Sequence, residues 1–79
     1  MDKYKVAIVD DDEVALENLS FELGKDARFS LKGTARNGKQ GKKLIAKVQP
    51  DLLFLDVEMP DMTGMELLQE IRGSVSWNM

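Results

Sequence analysis

The chain has 79 residues, a formal net charge of −3 and 43% hydrophobic residues, and it contains neither cysteine nor histidine. This length allows one small domain, and the composition is that of a globular chain rather than of a disordered segment. The two missing residue types exclude disulfides, thiolate metal sites, cysteine nucleophiles and histidine-based catalysis, so any chemistry must use carboxylates, hydroxyls, lysine or the backbone.

The sequence also bears on where the chain acts. Its apolar runs are far too short for a membrane span, and residues 1–9 lack a signal-peptide core. The lack of cysteine fits a reducing compartment without requiring one. We therefore expect a cytoplasmic chain with no membrane partner.

The first predicted strand, residues 4–10, leads into a run of acids. The acidic residues are Asp10, Asp11, Asp12 and Glu13. Adjacent acids repel one another unless a cation lies near them. A helix is predicted next, over 13–23, with Asp12 as its N-cap and Gly24 as its stop. The apolar residues at near-helical spacing are Val14, Leu16, Leu19 and Leu23.

The middle of the chain predicts an edge strand followed by a basic amphipathic helix. Apolar and polar residues alternate over 29–34, which is typical of a half-exposed strand. A helix is predicted over 38–48, closed by Pro50. Although residues 25–47 hold eight bases and one acid, the lysines fall mostly opposite the apolar positions. We interpret them as a solvated face and expect no nucleic-acid binding from this segment.

The last predicted strand, residues 52–56, ends at Asp56. Its four consecutive apolar residues predict burial on both faces. An aspartate in this place is often a turn former or a helix cap. Here Met59-Pro60 favours an extended backbone, and the next helical pattern, over 64–72, begins only at Gly64. Asp56 then stands at a strand tip, where open parallel sheets bind ligands.

These elements alternate as β-α-β-α-β-α, which predicts a parallel sheet with right-handed crossovers and helices on both faces. If the first and third strands are neighbours, Asp10, Asp11 and Asp56 converge, because paired strands lie about 4.8 Å apart. Carboxylates that close repel one another unless a hard divalent cation balances them, and Mg²⁺ suits oxygen ligands. The residues therefore predict a metal-assisted phosphoryl site with one carboxylate as the nucleophile.

Two motifs also give the chain a resemblance to a known family. They are Val6-Ala7-Ile8-Val9-Asp10-Asp11-Asp12 and Pro50-Asp51-Leu52-Leu53-Phe54-Leu55-Asp56-Val57-Glu58-Met59-Pro60-Asp61-Met62-Thr63-Gly64. Over residues 5–72 the chain resembles the receiver domain of bacterial two-component response regulators, in particular those with LytTR-type DNA-binding output domains. The resemblance implies a flavodoxin-like (CheY-like) α/β fold with strand order 2-1-3-4-5, of which this chain supplies only 2-1-3.

The resemblance implies a role for each site residue. Asp56 would accept a phosphoryl group from a sensor histidine kinase and would also be a ligand of Mg²⁺. Asp11 would ligate the ion directly, Asp10 largely through water, and Glu58 through its backbone carbonyl. Met59-Pro60 and Gly64 would shape the loop that receives the phosphoryl oxygens.

The chain also departs from the family. The family's fourth strand ends in a Ser or Thr that contacts the phosphoryl group, and its fifth ends in a Lys that pairs with it; neither has a counterpart in this sequence. Residues 73–79 do not resemble the lead into a fourth strand, so we expect a truncated, partial receiver over 1–72 with impaired phosphotransfer. We expect the strand 52–56 to form an apolar edge through which the chain makes homo-oligomers, by edge pairing or segment exchange.

Two other functions stay open. A haloacid-dehalogenase-like phosphatase also has a strand-end aspartate nucleophile with Mg²⁺, but it needs a second acid two residues on as an acid/base, and here Glu58 precedes Met59-Pro60. Acetyl phosphate turnover separates this phosphatase from a receiver. A non-signalling fragment that binds a kinase or an intact regulator is the other alternative, favoured by kinase binding that survives Asp56→Ala.

Overall fold

The computed structural model describes residues 3–72, which form three strands and three helices in strict alternation. In chain order these are β1 (Tyr4–Val9), α1 (Glu13–Gly24), β2 (Phe29–Ala35), α2 (Gly38–Val48), β3 (Leu52–Leu55) and α3 (Gly64–Ile71). Each end lies within one residue of the predicted position. The predicted non-family tail, residues 73–79, lies outside the described residues.

Strand β1 is the centre of the sheet, which has the order β2-β1-β3 with both pairs parallel. The side chains from Val6 to Val9 are at most 2% exposed, as expected of a continuous apolar strand that is covered on both faces. The β1–β3 register runs from Val6 opposite Leu52 to Val9 opposite Leu55. The two strands therefore end at the same level of the sheet.

The sheet separates two apolar clusters. The cluster beneath α1 consists of Val6, Ile8, Leu16 and Leu23. The cluster beneath α2 and α3 consists of Val9, Ala35, Ile45, Leu67 and Ile71. Successive β1 side chains point to opposite faces, so this one strand contributes to both clusters. The predicted fold, a parallel sheet in the order 2-1-3 with helices on both faces, is confirmed.

One of the four apolar residues at near-helical spacing in α1 does not face the sheet. This residue is Val14, which is 63% exposed. Residues two positions apart point in nearly opposite directions around a helix, so Val14 cannot share the face that carries Leu16. The face turned to the sheet is formed by Leu16, Leu19 and Leu23.

Strand β3 is less buried than its apolar sequence predicts. Leu52 is 37% exposed, and the other three side chains are half-buried. Within the described residues β3 is hydrogen-bonded to β1 alone, whereas β1 has a strand on each side. The second edge of β3, which no other strand of residues 3–72 covers and which is called the uncovered edge below, accounts for the difference.

Polar N-caps fix the three helix starts at the carboxyl edge of the sheet. Asp12 accepts the backbone N–H groups of Val14 and Ala15. Asn37 and Thr63 cap α2 and α3 in the same way, and Glu66 completes a capping box with Thr63. Over residues 3–72, none of the helices combines the length and the apolar composition of a membrane span.

Candidate functional site

An open cleft of about 610 Å³ lies at the carboxyl edge of β1 and β3. Two loops form it, one after each strand. Its lining residues are Asp10, Asp11, Asp12, Asp56, Glu58, Met59 and Pro60. Five of these seven residues are acidic and none is basic, so a ligand here must be a cation or must arrive with one.

Backbone hydrogen bonds continue the sheet past the ends of β1 and β3. The N–H of Asp10 donates to the Ala35 carbonyl at 3.0 Å, and the N–H of Asp56 donates to the Val9 carbonyl at 2.9 Å. Both aspartates are therefore fixed by the sheet rather than by the loops. Because the two strands end level, their first loop residues lie side by side.

The structure brings Asp10, Asp11 and Asp56 together. One carboxylate oxygen from each lies within 4.8 Å of the others, with Asp10 and Asp56 half-buried and Asp11 exposed. The Oδ1 atom of Asp10 accepts the N–H of Asp12 at 2.9 Å, which ties one of its oxygens to the turn into α1. Among residues 3–72, no hydrogen bond engages the side chain of Asp11 or of Asp56.

This donor set fits a small hard cation. Mg²⁺ prefers a few carboxylate oxygens at 2.0–2.1 Å and keeps several waters, and the cleft is open to solvent on one side. Two ligands of such an ion lie at most about 4.2 Å apart. The three oxygens lie within 4.8 Å of one another, which is close to this limit, and their side chains are exposed or half-buried.

The loop after β3 is closed by its own backbone. Glu58 and Thr63 form an antiparallel bridge, and the N–H of Gly64 donates to the Val57 carbonyl at 2.8 Å. The side chain of Glu58 is exposed and lines the cleft. A Cβ at Gly64 would collide with the carbonyl oxygen of Asp56, so only glycine lets α3 begin this close to the end of β3.

Two acids of the run 10–13 stabilise the start of helix α1. Asp12 lines the cleft, but its Oδ1 accepts the N–H of Val14 at 3.0 Å as the N-cap. Glu13 is exposed in the first turn, where the helix dipole favours an acid.

Asp61 is a further acid whose role the sequence reasoning missed. Its carboxylate accepts the N–H of Gly38 at 2.8 Å and the N–H of Lys39 at 2.9 Å, at the start of α2. These two backbone donors lower the pKa of Asp61. The signal that pointed to such a contact is that α2 has no acid in its own first turn.

Comparisons of the sequence with known proteins agree on one family. The family model of the response regulator receiver domain matches residues 6–77. The chain is 44% identical over 71 residues to the protein-glutamate methylesterase/protein-glutamine glutaminase of Geobacillus kaustophilus. The matched segment covers 90% of this chain and 20% of that protein. The chain is also 43% identical over 75 residues to the probable C4-dicarboxylate response regulator DctR of Bacillus subtilis. That match covers 89% of this chain and 31% of the regulator.

A solved structure gives the same answer for the fold. The response regulator domain of Thermotoga maritima CheB superposes with a TM-score of 0.88 at 25% sequence identity, over 92% of this chain and 55% of that chain. The chain therefore spans just over half the length of that domain and less than a third of the two curated relatives.

Proposed function

Since this chain belongs to the response regulator receiver domain family of two-component signal transduction, we propose that Asp56 accepts a phosphoryl group from a sensor histidine kinase. The observation that supports this most directly is the convergence of Asp10, Asp11 and Asp56 at one edge of the sheet. The proposed place of action is the cytoplasm. The methylesterase activity named for the Geobacillus relative is not part of the proposal, because the match covers 20% of that protein.

Asp56 is the best nucleophile of the three aspartates. Its backbone is held by the Val9 carbonyl, while its carboxylate makes no hydrogen bond to any described residue. One carboxylate oxygen of Asp10 already accepts a hydrogen bond from the backbone N–H of Asp12. In the proposed transfer an Asp56 oxygen attacks the phosphorus of N-phosphohistidine, the O–P bond forms as the P–N bond breaks, and the leaving imidazole takes a proton from water.

The proposed ligands of Mg²⁺ are the carboxylates of Asp10, Asp11 and Asp56 and the backbone carbonyl of Glu58. When bound, the ion would neutralise negative charge on the transferring phosphoryl oxygens. The residues themselves would hold the ion and leave positions open to solvent, and the sheet keeps Asp56 at the strand tip. Because the described lining of the cleft carries no basic side chain, we expect transfer to depend strictly on a divalent cation.

We further propose that transfer is slow in the 79-residue chain taken alone. The family's Ser or Thr and its Lys, which the resemblance places after a fourth and a fifth strand, have no counterpart in this sequence. Preorganised donors around a transferring group supply much of the rate of such reactions. A second proposal about the same chain is self-association through the uncovered edge of β3. The resemblance to the receivers of regulators with LytTR-type output domains stays a prediction.

Phosphorylation of the purified chain tests the proposed function. The chain is incubated with acetyl phosphate or a phosphorylated histidine kinase, with and without Mg²⁺, and the gain of one phosphoryl group is followed by mass spectrometry. We expect slow, Mg²⁺-dependent incorporation that hydroxylamine removes, since an acyl phosphate is formed, and that Asp56→Asn abolishes.

Asp12→Asn is the matched control. It makes the same change in the same cleft, and asparagine also serves as an N-cap, so incorporation should continue. Equal incorporation in Asp56→Asn contradicts the proposal. Kinase binding that survives Asp56→Ala, without any transfer in the unsubstituted chain, supports the non-signalling alternative instead. Catalytic turnover of acetyl phosphate favours the phosphatase.

A further inference from the structure

Asp61 connects the loop of the acidic site to helix α2. Its two carboxylate oxygens accept the N–H groups of Gly38 and Lys39 at 2.8 and 2.9 Å. We propose that Asp61 is a positioning residue, which holds the segment 57–62 in the conformation that brings Glu58 to the cleft. This inference rests on the proposed function, because that function gives Glu58 a backbone ligand.

The segment 57–62 makes few other hydrogen bonds. Its remaining backbone bonds, from Glu58 to Thr63 and from Gly64 to Val57, close the loop on itself. Among the hydrogen bonds of the described residues, those made by Asp61 are the only ones that join 57–62 to a distant part of the chain. The hydrogen bonding of the loop to the rest of the chain therefore depends on this carboxylate, while Met59 and Met62 add apolar packing against the cluster beneath α2 and α3.

An apolar contact lies beside the polar one. Met62 packs over Gly38, where an added Cβ would collide with Met62 Cγ and would lie 2.5 Å from its Sδ. Gly38 is buried by this contact. The contact fixes how closely the loop approaches α2, but a flexible methionine does not fix the orientation of the loop. The two carboxylate oxygens of Asp61 fix that orientation, because each accepts a different N–H group of α2.

The geometry calls for a carboxylate rather than any other polar group. Two neighbouring N–H groups at a helix start need two acceptor oxygens, and the positive end of the helix dipole favours a negative charge. Asparagine accepts from one N–H while its own NH₂ group faces the other. Alanine accepts from neither. The loop is therefore held to α2 most firmly by aspartate at position 61, less firmly by asparagine and least firmly by alanine.

The test compares the unsubstituted chain with Asp61→Asn, Asp61→Ala and the control Asp51→Asn. Asp51 also accepts a backbone N–H, from Lys5 at 2.7 Å, but at the opposite end of the sheet. The first measurement, made without metal, is NMR hydrogen exchange at the amides of 57–64. We expect exchange to become at least about tenfold faster in Asp61→Ala, intermediate in Asp61→Asn and unchanged in the control, with β1 amides unaffected.

The second measurement is the Mg²⁺ dissociation constant, from amide chemical shifts at a temperature where every variant is folded. We expect Mg²⁺ binding about tenfold weaker in Asp61→Ala, as for the loss of other groups that orient a metal ligand, and partly recovered in Asp61→Asn. Unchanged loop exchange in Asp61→Ala overturns the inference. So does faster exchange that extends equally to β1, because Asp61 would then support global stability only.

The two proposals fail in distinguishable ways. If the unsubstituted chain shows no Mg²⁺ response, the proposed metal site is wrong, and the metal-free exchange data alone decide whether Asp61 fixes the loop. If Mg²⁺ binds and Asp61→Ala leaves its dissociation constant unchanged, the metal site stands and the positioning role is wrong.

Discussion

Asp26 and Arg28 form an exposed ion pair far from the acidic cleft. Arg28 Nη2 lies 2.6 Å from Asp26 Oδ2, and the Arg28 backbone N–H also donates to this carboxylate. The guanidinium hydrogen bond and then the backbone one lower the pKa of Asp26 from its ordinary value of 3.8 to about 2. The pKa of Arg28 is raised in turn.

The pair gives a pH-dependent prediction. Because the folded-state pKa of Asp26 lies below the unfolded value, its contribution to stability is present above pH 3.8 and is lost as the pH falls towards about 2. A carboxyl-carbon NMR titration should give this low pKa in the unsubstituted chain and a higher one in Arg28→Gln. Lys32→Gln, which removes a positive charge on β2, should leave the pKa of Asp26 low. An ordinary value in the unsubstituted chain contradicts the ion pair.

At the residue scale, sequence reasoning located some acids and missed another. Asp10 and Asp56 directly follow strands, so their meeting depends only on which strands are neighbours. Asp61 contacts Gly38, which lies 23 positions earlier in the chain. That contact depends on how α2 is placed against the loop, and the missing acid in the first turn of α2 does not identify which distant acid takes its place.

At the scale of elements, the junction between β3 and α3 leaves no room for a side chain at Gly64. A Cβ at Gly64 would collide with the Asp56 carbonyl and would lie 3.2 Å from Leu55 Cγ. We expect Gly64→Ala to displace α3, to destabilise the fold by about 1–3 kcal/mol and to reduce phosphorylation of Asp56. Urea unfolding and the phosphorylation assay measure the two effects.

Gly24 offers the matched control. It lies at the end of α1, and a Cβ there would meet nothing within 4 Å. Gly24→Ala should therefore be neutral or stabilising by up to about 1 kcal/mol, because alanine loses less backbone entropy on folding. A Gly64→Ala variant as stable as Gly24→Ala would show that α3 moves freely relative to β3.

Element positions followed from periodicity, whereas burial within elements did not. Helix α2 has a clear apolar side and spans the predicted residues. In α1 the apolar residues surround more of the helix, and Val14 and Phe21 are 63% and 66% exposed. Local pattern shows that a segment is amphipathic, but the neighbours available in three dimensions decide which of its apolar side chains are covered.

At the scale of the whole molecule, the edge of β3 that no other strand of residues 3–72 covers predicts self-association. Leu52 is 37% exposed, and β3 carries no charged residue that would block pairing with another strand. We expect light scattering at tens of micromolar to show oligomers of the 79-residue chain. Leu52→Lys should shift them towards monomers, because a lysine on an edge strand opposes strand addition.

Phe21→Lys is the control for this prediction. Phe21 is a large exposed apolar residue on α1, away from the sheet edge. Its replacement by lysine should leave the oligomers unchanged. If the unsubstituted chain is a monodisperse monomer, or if Phe21→Lys dissociates the oligomers as well as Leu52→Lys does, the edge of β3 is not the contact.

The openness of the acidic cleft bears on how the proposed metal site would discriminate among ions. A rigid cage selects a cation by radius, because its ligands cannot follow a larger or smaller ion. Here Asp11 is exposed, and solvent reaches the cleft on its open side, so water completes whatever coordination number the ion prefers. We expect the proposed site to accept several hard divalent cations, so that their relative abundance in the cell, rather than the shape of the protein, selects the occupant.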